Sequence, residues 1–337
     1  MLNGQGGRRR SPSRGAILGT RDHANTIKLG TQAAMPNAVS LRSVSKRFGR
    51  HVAVDRLTLT VPAGSLYGFI GPNGSGKTTT LRMILRIILP DEGEVEVLGA
   101  KEGAAASDRV GYLPEERGLY KKMSVRRILA YYAALKGLTG RAARREIDAW
   151  LERFELAAWA GRKVEALSKG MAQKVQFIAS VVARPELVIL DEPFSGLDPV
   201  NLEVVRQAIL DLRAGGTTVI FSTHDMHMAE QMCDFVCMIF RGQKVLDGTL
   251  ESIKAAYGAD TIRLRLEGGR QCLEGLPGIE RLRDLGTMQE VQYAGDTQEL
   301  LAALTARTRV QQFEVAHPSL HDIFIRIAGP EAENGRA

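Results

Sequence analysis

The stretch Gly71-Pro72-Asn73-Gly74-Ser75-Gly76-Lys77-Thr78 constrains this chain more than any other part of it. It has the spacing G-x-x-x-x-G-K-[ST], follows the apolar run Leu66 to Ile70, and leads into Thr79 to Leu85, a composition that suits a helix. The order is strand, loop, helix. Glycines let such a loop curl until successive backbone N–H groups point inward, and the following helix adds the positive end of its dipole. The product is a cradle for phosphates. Lys77 supplies a mobile positive charge to the outer phosphates, and the Thr78 hydroxyl is placed to ligate Mg²⁺. A glycine-rich turn that holds no ligand is the plainer reading, and the downstream motifs argue against it.

Leu187-Val188-Ile189-Leu190 is a short apolar run of the kind found in a buried parallel strand, and it ends in Asp191-Glu192-Pro193. Adjacent residues at a strand end can be aimed differently, which suits two tasks: Asp191 holding Mg²⁺ through water, and Glu192 polarising a water for attack on a γ-phosphate. A second buried run, Val219-Ile220-Phe221, leads to Ser222-Thr223-His224-Asp225. There His224 would face the same sheet edge as Asp191, within reach of the γ-phosphate.

The remaining composition bounds the function. A chain of 337 residues with 44% hydrophobic and 25% charged residues has material for two domains and ample cores. No apolar run approaches a membrane span; the longest near-apolar tracts, such as Phe235 to Phe240, are strand-sized. Of the net charge of +7, +5 falls in residues 1–34, so the rest carries no strong nucleic-acid footprint. Cys233, Cys237 and Cys272 form no C-x-x-C pair, which argues against zinc and a disulfide framework and suits a reducing compartment. The pairs His224/His227 and His317/His321 have helical ligand spacing but no third ligand nearby.

Residues 1–38, rich in Gly, Arg, Ser and Ala, read as a disordered basic tail with no secretory h-region; Met35 is an alternative start, and residues 1–34 are expected to be dispensable. The alternation Leu57, Leu59, Val61 predicts antiparallel strands between Leu41 and Val61, with further strands at 94–98 and 109–113. Between 124 and 182 the period becomes helical: Val125, Ile128, Leu129 and Tyr132, then Ile147, Trp150, Leu151 and Phe154, then Val175, Ile178, Ala179 and Val182. Asn201 to Arg213 reads as another helix. After Gly248 a separate unit begins, with helices near 250–257, 300–304 and 319–327 and strands near 262–266, 291–293 and 310–315; Ser319 and Asp322 fit a capping box.

Taken together, residues 39–250 resemble the nucleotide-binding subunit of ATP-binding cassette (ABC) transporters. The motifs stand in that family's order: the cradle, Tyr112-Leu113-Pro114-Glu115 at the Gln-loop position, Leu167-Ser168-Lys169-Gly170-Met171 as the signature, Asp191-Glu192, Ser195-Gly196-Leu197-Asp198 as the D-loop, and His224 as the switch histidine. The resemblance implies an α/β fold, a P-loop NTPase (RecA-like) core with antiparallel β and helical subdomains, the latter at about 115–167, plus a small α+β C-terminal domain at 251–330 and a disordered tail at 331–337. It implies ATP and Mg²⁺ as cofactors. ATP would bind at Gly71, Pro72, Asn73, Gly74, Ser75, Gly76, Lys77, Thr78 and Thr79, with Phe48 at the position of the adenine-stacking aromatic. Lys77, Glu192 and His224 would be catalytic, and Thr78, Asp191 and Glu115 would face the metal. It implies a head-to-tail dimer, of two copies or of paired cassettes, in which Ser168, Lys169, Gly170 and Met171 act on the partner's nucleotide beside Asp198. It further implies integral membrane permease partners, no nucleic acid, and a cytoplasmic place on the inner face of the cell membrane.

Departures from the pattern matter. Lys169 and Met171 stand where many cassettes have Gly and Gln, and Lys169 adds a cation near the partner's phosphates if it points that way. Glu115 replaces the loop glutamine, and a carboxylate beside a triphosphate costs electrostatic energy unless Mg²⁺ screens it. Two readings of Glu115 stay open, a direct metal ligand or a contact toward a partner. These variations, with the terminal Pro318-Ser319-Leu320-His321-Asp322-Ile323-Phe324, resemble exporter-type subunits carrying a small C-terminal extension. A soluble cassette ATPase acting on DNA or ribosomes is the alternative, though no coiled-coil insertion or cysteine metal site is visible. A P-loop kinase or GTPase would not need Leu167 to Met171, and the chain has no N-K-x-D guanine motif.

Overall fold

The computed structural model describes residues 36–101, 107–116, 118–257, 261–316 and 318–329. The basic stretch 1–34, the 331–337 tail and His317 lie outside the described residues.

A six-stranded sheet organises the chain. Its order is β5 (Val110–Leu113), β6 (Leu187–Asp191), β7 (Thr218–Thr223), β3 (Leu66–Ile70), β8 (Phe235–Phe240), β9 (Gln243–Thr249); all pairs are parallel except the last. Every residue of β3, β6 and β7 is buried, which explains their continuous apolar character: both faces of a parallel sheet are covered. The two-residue period decides which cover each side chain meets. Leu66, Ile70, Val188, Leu190, Val219 and Phe221 point into a core shared with helices, whereas Tyr67, Phe69, Leu187, Ile189 and Ile220 point into a second core.

The second core is closed by an antiparallel sheet of β2 (His51–Pro62), β1 (Asn37–Phe48) and β4 (Glu92–Val97), which contributes Val39, Leu41, Leu57, Leu59 and Val61. Helix α1 (Lys77–Ile84) lies in this layer through Leu81, Met83 and Ile84. The helical layer comprises α2 (Val125–Leu135), α3 (Gly140–Arg153), α4 (Lys169–Val181) and α5 (Pro199–Ala214). Ser124 caps α2 by accepting from Arg127 N–H, and Phe154 stacks on Phe177 of α4 with Trp150 against both rings.

Helix α6 (Met226–Met232) follows β7, and α7 (Leu250–Ala256) follows β9. The C-terminal region then forms an antiparallel sheet in the order β11 (Ile279–Asp284), β12 (Gln289–Tyr293), β10 (Thr261–Leu266), β13 (Val310–Ala316). Its own small core joins Ile262, Leu264 and Val291 to Leu300 and Leu304 of α8 (Thr297–Arg307). The sequence reads 251–330 as one separate unit, but its packing is divided. Helix α9 (Leu320–Ala328), held at its start by the Ser319/Asp322 capping box, sends Leu320, Ile323 and Phe324 into the helical core of the six-stranded sheet, as α7 does with Ile253. Phe324 meets Phe240 of β8 edge to face, with ring centroids 5.6 Å apart.

This contact ties the last helix to the main sheet, so Phe324→Ala should lower the unfolding free energy by roughly 3 kcal/mol, the cost of a large core truncation. Denaturant titration checks it, with the exposed Leu285→Ala as a control expected to shift by less than about 0.5 kcal/mol.

Candidate active site

Strand pairing brings the site together. β7 lies between β3 and β6 with Ile70 opposite Thr223 and Asp191 opposite Ser222, so the loops leaving all three strands emerge at one edge. The cradle leaves β3, Glu192 leaves β6, and His224 leaves β7.

The loop's glycines are required by close approach. Gly71 and Gly76 have φ of 149° and 109°, and a Cβ at either would lie 2.2 Å from Ile239 O or 2.4 Å from Ala53 O. Gly76 is the residue before α1, so the unpaired N–H groups of that helix open into the loop. The nearly buried Lys77 Nζ donates to the carbonyls of Gly71 and Pro72, at 2.7 and 3.1 Å, and lies 3.9 Å from Glu192 Oε1. Burial depresses the Lys77 pKa below the usual lysine range, while Glu192, Asp191 and Glu115 pull it back up.

Thr78 Oγ1 donates to Asp191 Oδ1 at 3.2 Å, across 113 residues of sequence. Asp191 is fully buried, and its Oδ2 has no hydrogen-bond partner among the described residues. A buried carboxylate oxygen left this way is costly, and a cation beside Thr78 and Asp191 would satisfy it; the donor set, one hydroxyl and one carboxylate, suits a hard ion such as Mg²⁺ that keeps waters and phosphate oxygens as its other ligands.

Glu192 adopts a left-handed backbone with φ of 50°, a conformation rare for a residue with a side chain and concentrated at functional sites. The turn aims its carboxylate at the cradle. His224 Nδ1 stands 3.1 and 3.2 Å from its two oxygens. Since an ionised carboxylate only accepts, Nδ1 carries the hydrogen in this contact.

Sequence reasoning missed Ser222. Its hydroxyl donates to Asp191 Oδ1 at 2.5 Å and accepts from Glu192 N–H at 3.0 Å, so one side chain fixes both carboxylate residues. The one available signal was the serine two positions before His224, and its meaning depends on the β6–β7 register.

A cleft of about 480 Å³ collects Phe48, His51, Asn73, Gly74, Gly76, Lys77, Thr78, Thr79, Glu115 and Glu192. Phe48 ends β1 with half its surface exposed, and Lys46 Nζ lies 5.7 Å from its ring centroid. The signature stands elsewhere. Ser168, Lys169, Gly170 and Met171 open α4 and do not line this cleft. Ser168 Oγ accepts from Met171 N–H at 3.3 Å, Lys169 is exposed, and Met171 packs partly on the helical core. Asp198 caps α5 by accepting from Asn201 N–H at 3.0 Å, which holds its carboxyl below the usual range. A Cβ at Gly170 would lie 3.5 Å from Asn201 Nδ2, so signature and D-loop are neighbours.

These features define a P-loop ATPase with a cassette signature, and comparison with known proteins places it further. Residues 54–195 match the ABC transporter family, and residues 248–328 match the C-terminal domain of DrrA1-3-like ATP-binding proteins. An uncharacterized ABC transporter ATP-binding protein of Bacillus subtilis, YhaQ, is 42% identical over 86% of this chain and 98% of its own length. The Nod factor export ATP-binding protein I of Burkholderia lata is 32% identical over 89% of this chain and 100% of its own. The daunorubicin resistance ATP-binding protein DrrA3 of Streptomyces coeruleorubidus is 31% identical over 87% of this chain and 96% of its own. Among solved structures, an ATP-binding subunit of an ABC transporter superposes with a TM-score of 0.62 at 28% identity, covering 66% of this chain and 93% of that one. The chain belongs to the ABC transporter ATP-binding proteins, the ATPases that energise transport.

Because Ser222 holds Asp191 and Glu192 without lining the cleft, Ser222→Ala should lower kcat for ATP by roughly tenfold or more, the worth of two lost hydrogen bonds, with a smaller change in KM. Steady-state kinetics with thermal melting of the variant checks this.

Proposed function

We propose that this chain is the ATP-hydrolysing subunit of an exporter, and that two copies, or this chain and a paired cassette, close head to tail on ATP and drive a membrane permease. The observation that carries the reading is the Glu192 carboxylate held between His224 Nδ1 and Lys77 Nζ at the mouth of the cradle.

Triphosphate binds along the loop N–H groups and the start of α1, and Phe48 stacks on the base. Lys77 releases the loop carbonyls for the outer phosphates, whose charge compensates the burial that depresses its pKa. Thr78 and Asp191 would hold Mg²⁺, which when bound would supply charge neutralisation for the phosphate oxygens. Glu115, on the same cleft wall, is either a further ligand or a partner contact. Glu192 accepts a hydrogen bond from the attacking water and takes its proton as the oxygen reaches the γ-phosphorus; the bond to the ADP oxygen breaks. His224 keeps the carboxylate aimed and reaches the γ-phosphate with the other edge of its ring.

The exposed start of α4, away from this chain's own cleft, is available to a nucleotide on a second copy. Ser168 and the N–H groups after it form an anion site there, with Lys169, Gly170 and Met171 around it and Asp198 beside it. A largely apolar groove of about 460 Å³, lined by Ile87, Leu119, Tyr132, Leu135, Pro114 and Gln176, lies between the sheet edge and the helical layer; in this reading a permease segment docks there. Among the described residues no helix is long and apolar enough to cross a membrane. In this reading the permease supplies the span, and the chain works from the cytoplasmic side at the inner face of the cell membrane. Relatives named for Nod factor export and daunorubicin resistance support the direction of transport. The permease selects the cargo.

Glu192→Gln should keep ATP binding, lower turnover by at least about a hundredfold, and accumulate an ATP-bound dimer on size-exclusion chromatography. Lys77→Ala should lose tight ATP binding instead. Wild-type hydrolysis by Glu192→Gln would overturn the reading.

A further inference from the structure

Helix α4 carries two glutamines one turn apart, Gln173 and Gln176, both buried. Gln173 Nε2 donates to Pro193 O and Ser195 O, each at 3.1 Å, holding the loop that follows Glu192. Gln176 Nε2 donates to Glu116 O at 3.1 Å and to Pro114 O at 3.4 Å. An amide has two hydrogens, and Gln176 directs both to carbonyls that bracket Glu115. Leucine or methionine would fill the buried volume without the desolvation an amide brings, so the amide's distinguishing contribution is the loop it grips.

Glu115 lines the nucleotide cleft with Lys77, Thr78 and Glu192. A carboxylate there interacts with phosphate, cation and lysine through a distance-dependent potential, so its effect depends on where the backbone holds it. With the Pro114 and Glu116 carbonyls both held, the backbone that carries Glu115 cannot move away from the cleft without breaking a hydrogen bond.

We propose that Gln176 is a positioning residue for the hydrolytic site, holding the Glu115 carboxylate at the cleft through the carbonyls on either side of it. The inference rests on the reading of the cleft as an ATP site. Because Gln173 holds the loop after Glu192 from the same helix, α4 grips the loops of both cleft glutamates, Glu115 and Glu192.

The test uses the full chain and a double-mutant cycle of Gln176→Met, which keeps size and shape, with Glu115→Gln. ATP binding is titrated against Mg²⁺, and backbone hydrogen exchange is followed across residues 111–116. The expected result is a roughly tenfold shift of the Mg²⁺ midpoint in Gln176→Met, in the same direction as in Glu115→Gln and no larger in the double variant. Exchange across 111–116 should quicken in Gln176→Met and stay unchanged in Glu115→Gln. Additive shifts, or a lowered melting temperature with an unmoved Mg²⁺ midpoint, would overturn the proposal. If Gln176→Met fails to fold, Gln176→Leu is put through the same cycle with the same two outcomes. Lys77→Ala that binds ATP like the wild type would instead refute the ATP site itself.

Discussion

The parallel pairing of β3, β7 and β6 is the constraint on which the rest depends. Hydrogen bonds running from Leu66/Val219 to Ile70/Thr223 and from Leu187/Thr218 to Asp191/Ser222 set the ends of three strands level. A slip of one residue in either pair would move Asp191 away from Thr78 and exchange side chains offered to the two cores, and a slip between β6 and β7 would also separate Ser222 from both carboxylate residues. The chemistry at the edge and the burial of the interior therefore rest on one register. That is why continuous apolar strands end abruptly in Asp191-Glu192 and His224: up to the edge both faces are buried, and one residue beyond it Glu192 lines the cleft with the cradle.

Around that edge the protein places groups at a cost and compensates it locally. Lys77 is buried and donates to two carbonyls; Glu192 accepts a left-handed backbone and receives His224. Among the described residues Asp191 keeps one buried oxygen without a partner while Thr78 and Ser222 share the other. Groups held in this way lose little freedom when charge develops beside them, which is how a preorganised site acts. Helix α4 adds the mechanical element, with the signature at its start and two glutamine amides gripping cleft loops along its length.

How much of this was legible followed from whether the interacting residues are close in sequence. The cradle is contiguous, and its geometry follows from glycine conformations and a helix start, so Gly71 to Thr79 could be read directly. Asp191-Glu192 and His224 could be read because each terminates a recognisable buried strand. Ser222 offered only its place two residues before His224 and Gln176 no local sign: a serine ending an apolar strand and a glutamine inside a helix acquire meaning from partners 31 and 60 residues away. The same holds for α9, whose capping box was readable but whose packing on Phe240, rather than on the C-terminal sheet alone, was not. Phe48 stood at the expected strand end, and its place on the cleft wall became visible only with β1 and the cradle in the same frame.

In the proposed function this ATPase powers a membrane permease. The most direct measurement is affinity purification of the chain from gently solubilised membranes, with mass spectrometry of the proteins that accompany it. A multi-span protein in stoichiometric amount is the predicted result, and it would name the subunit that selects the cargo. Ribosomal proteins, DNA, or no membrane partner would contradict the account and assign the same chemistry to a soluble cassette ATPase.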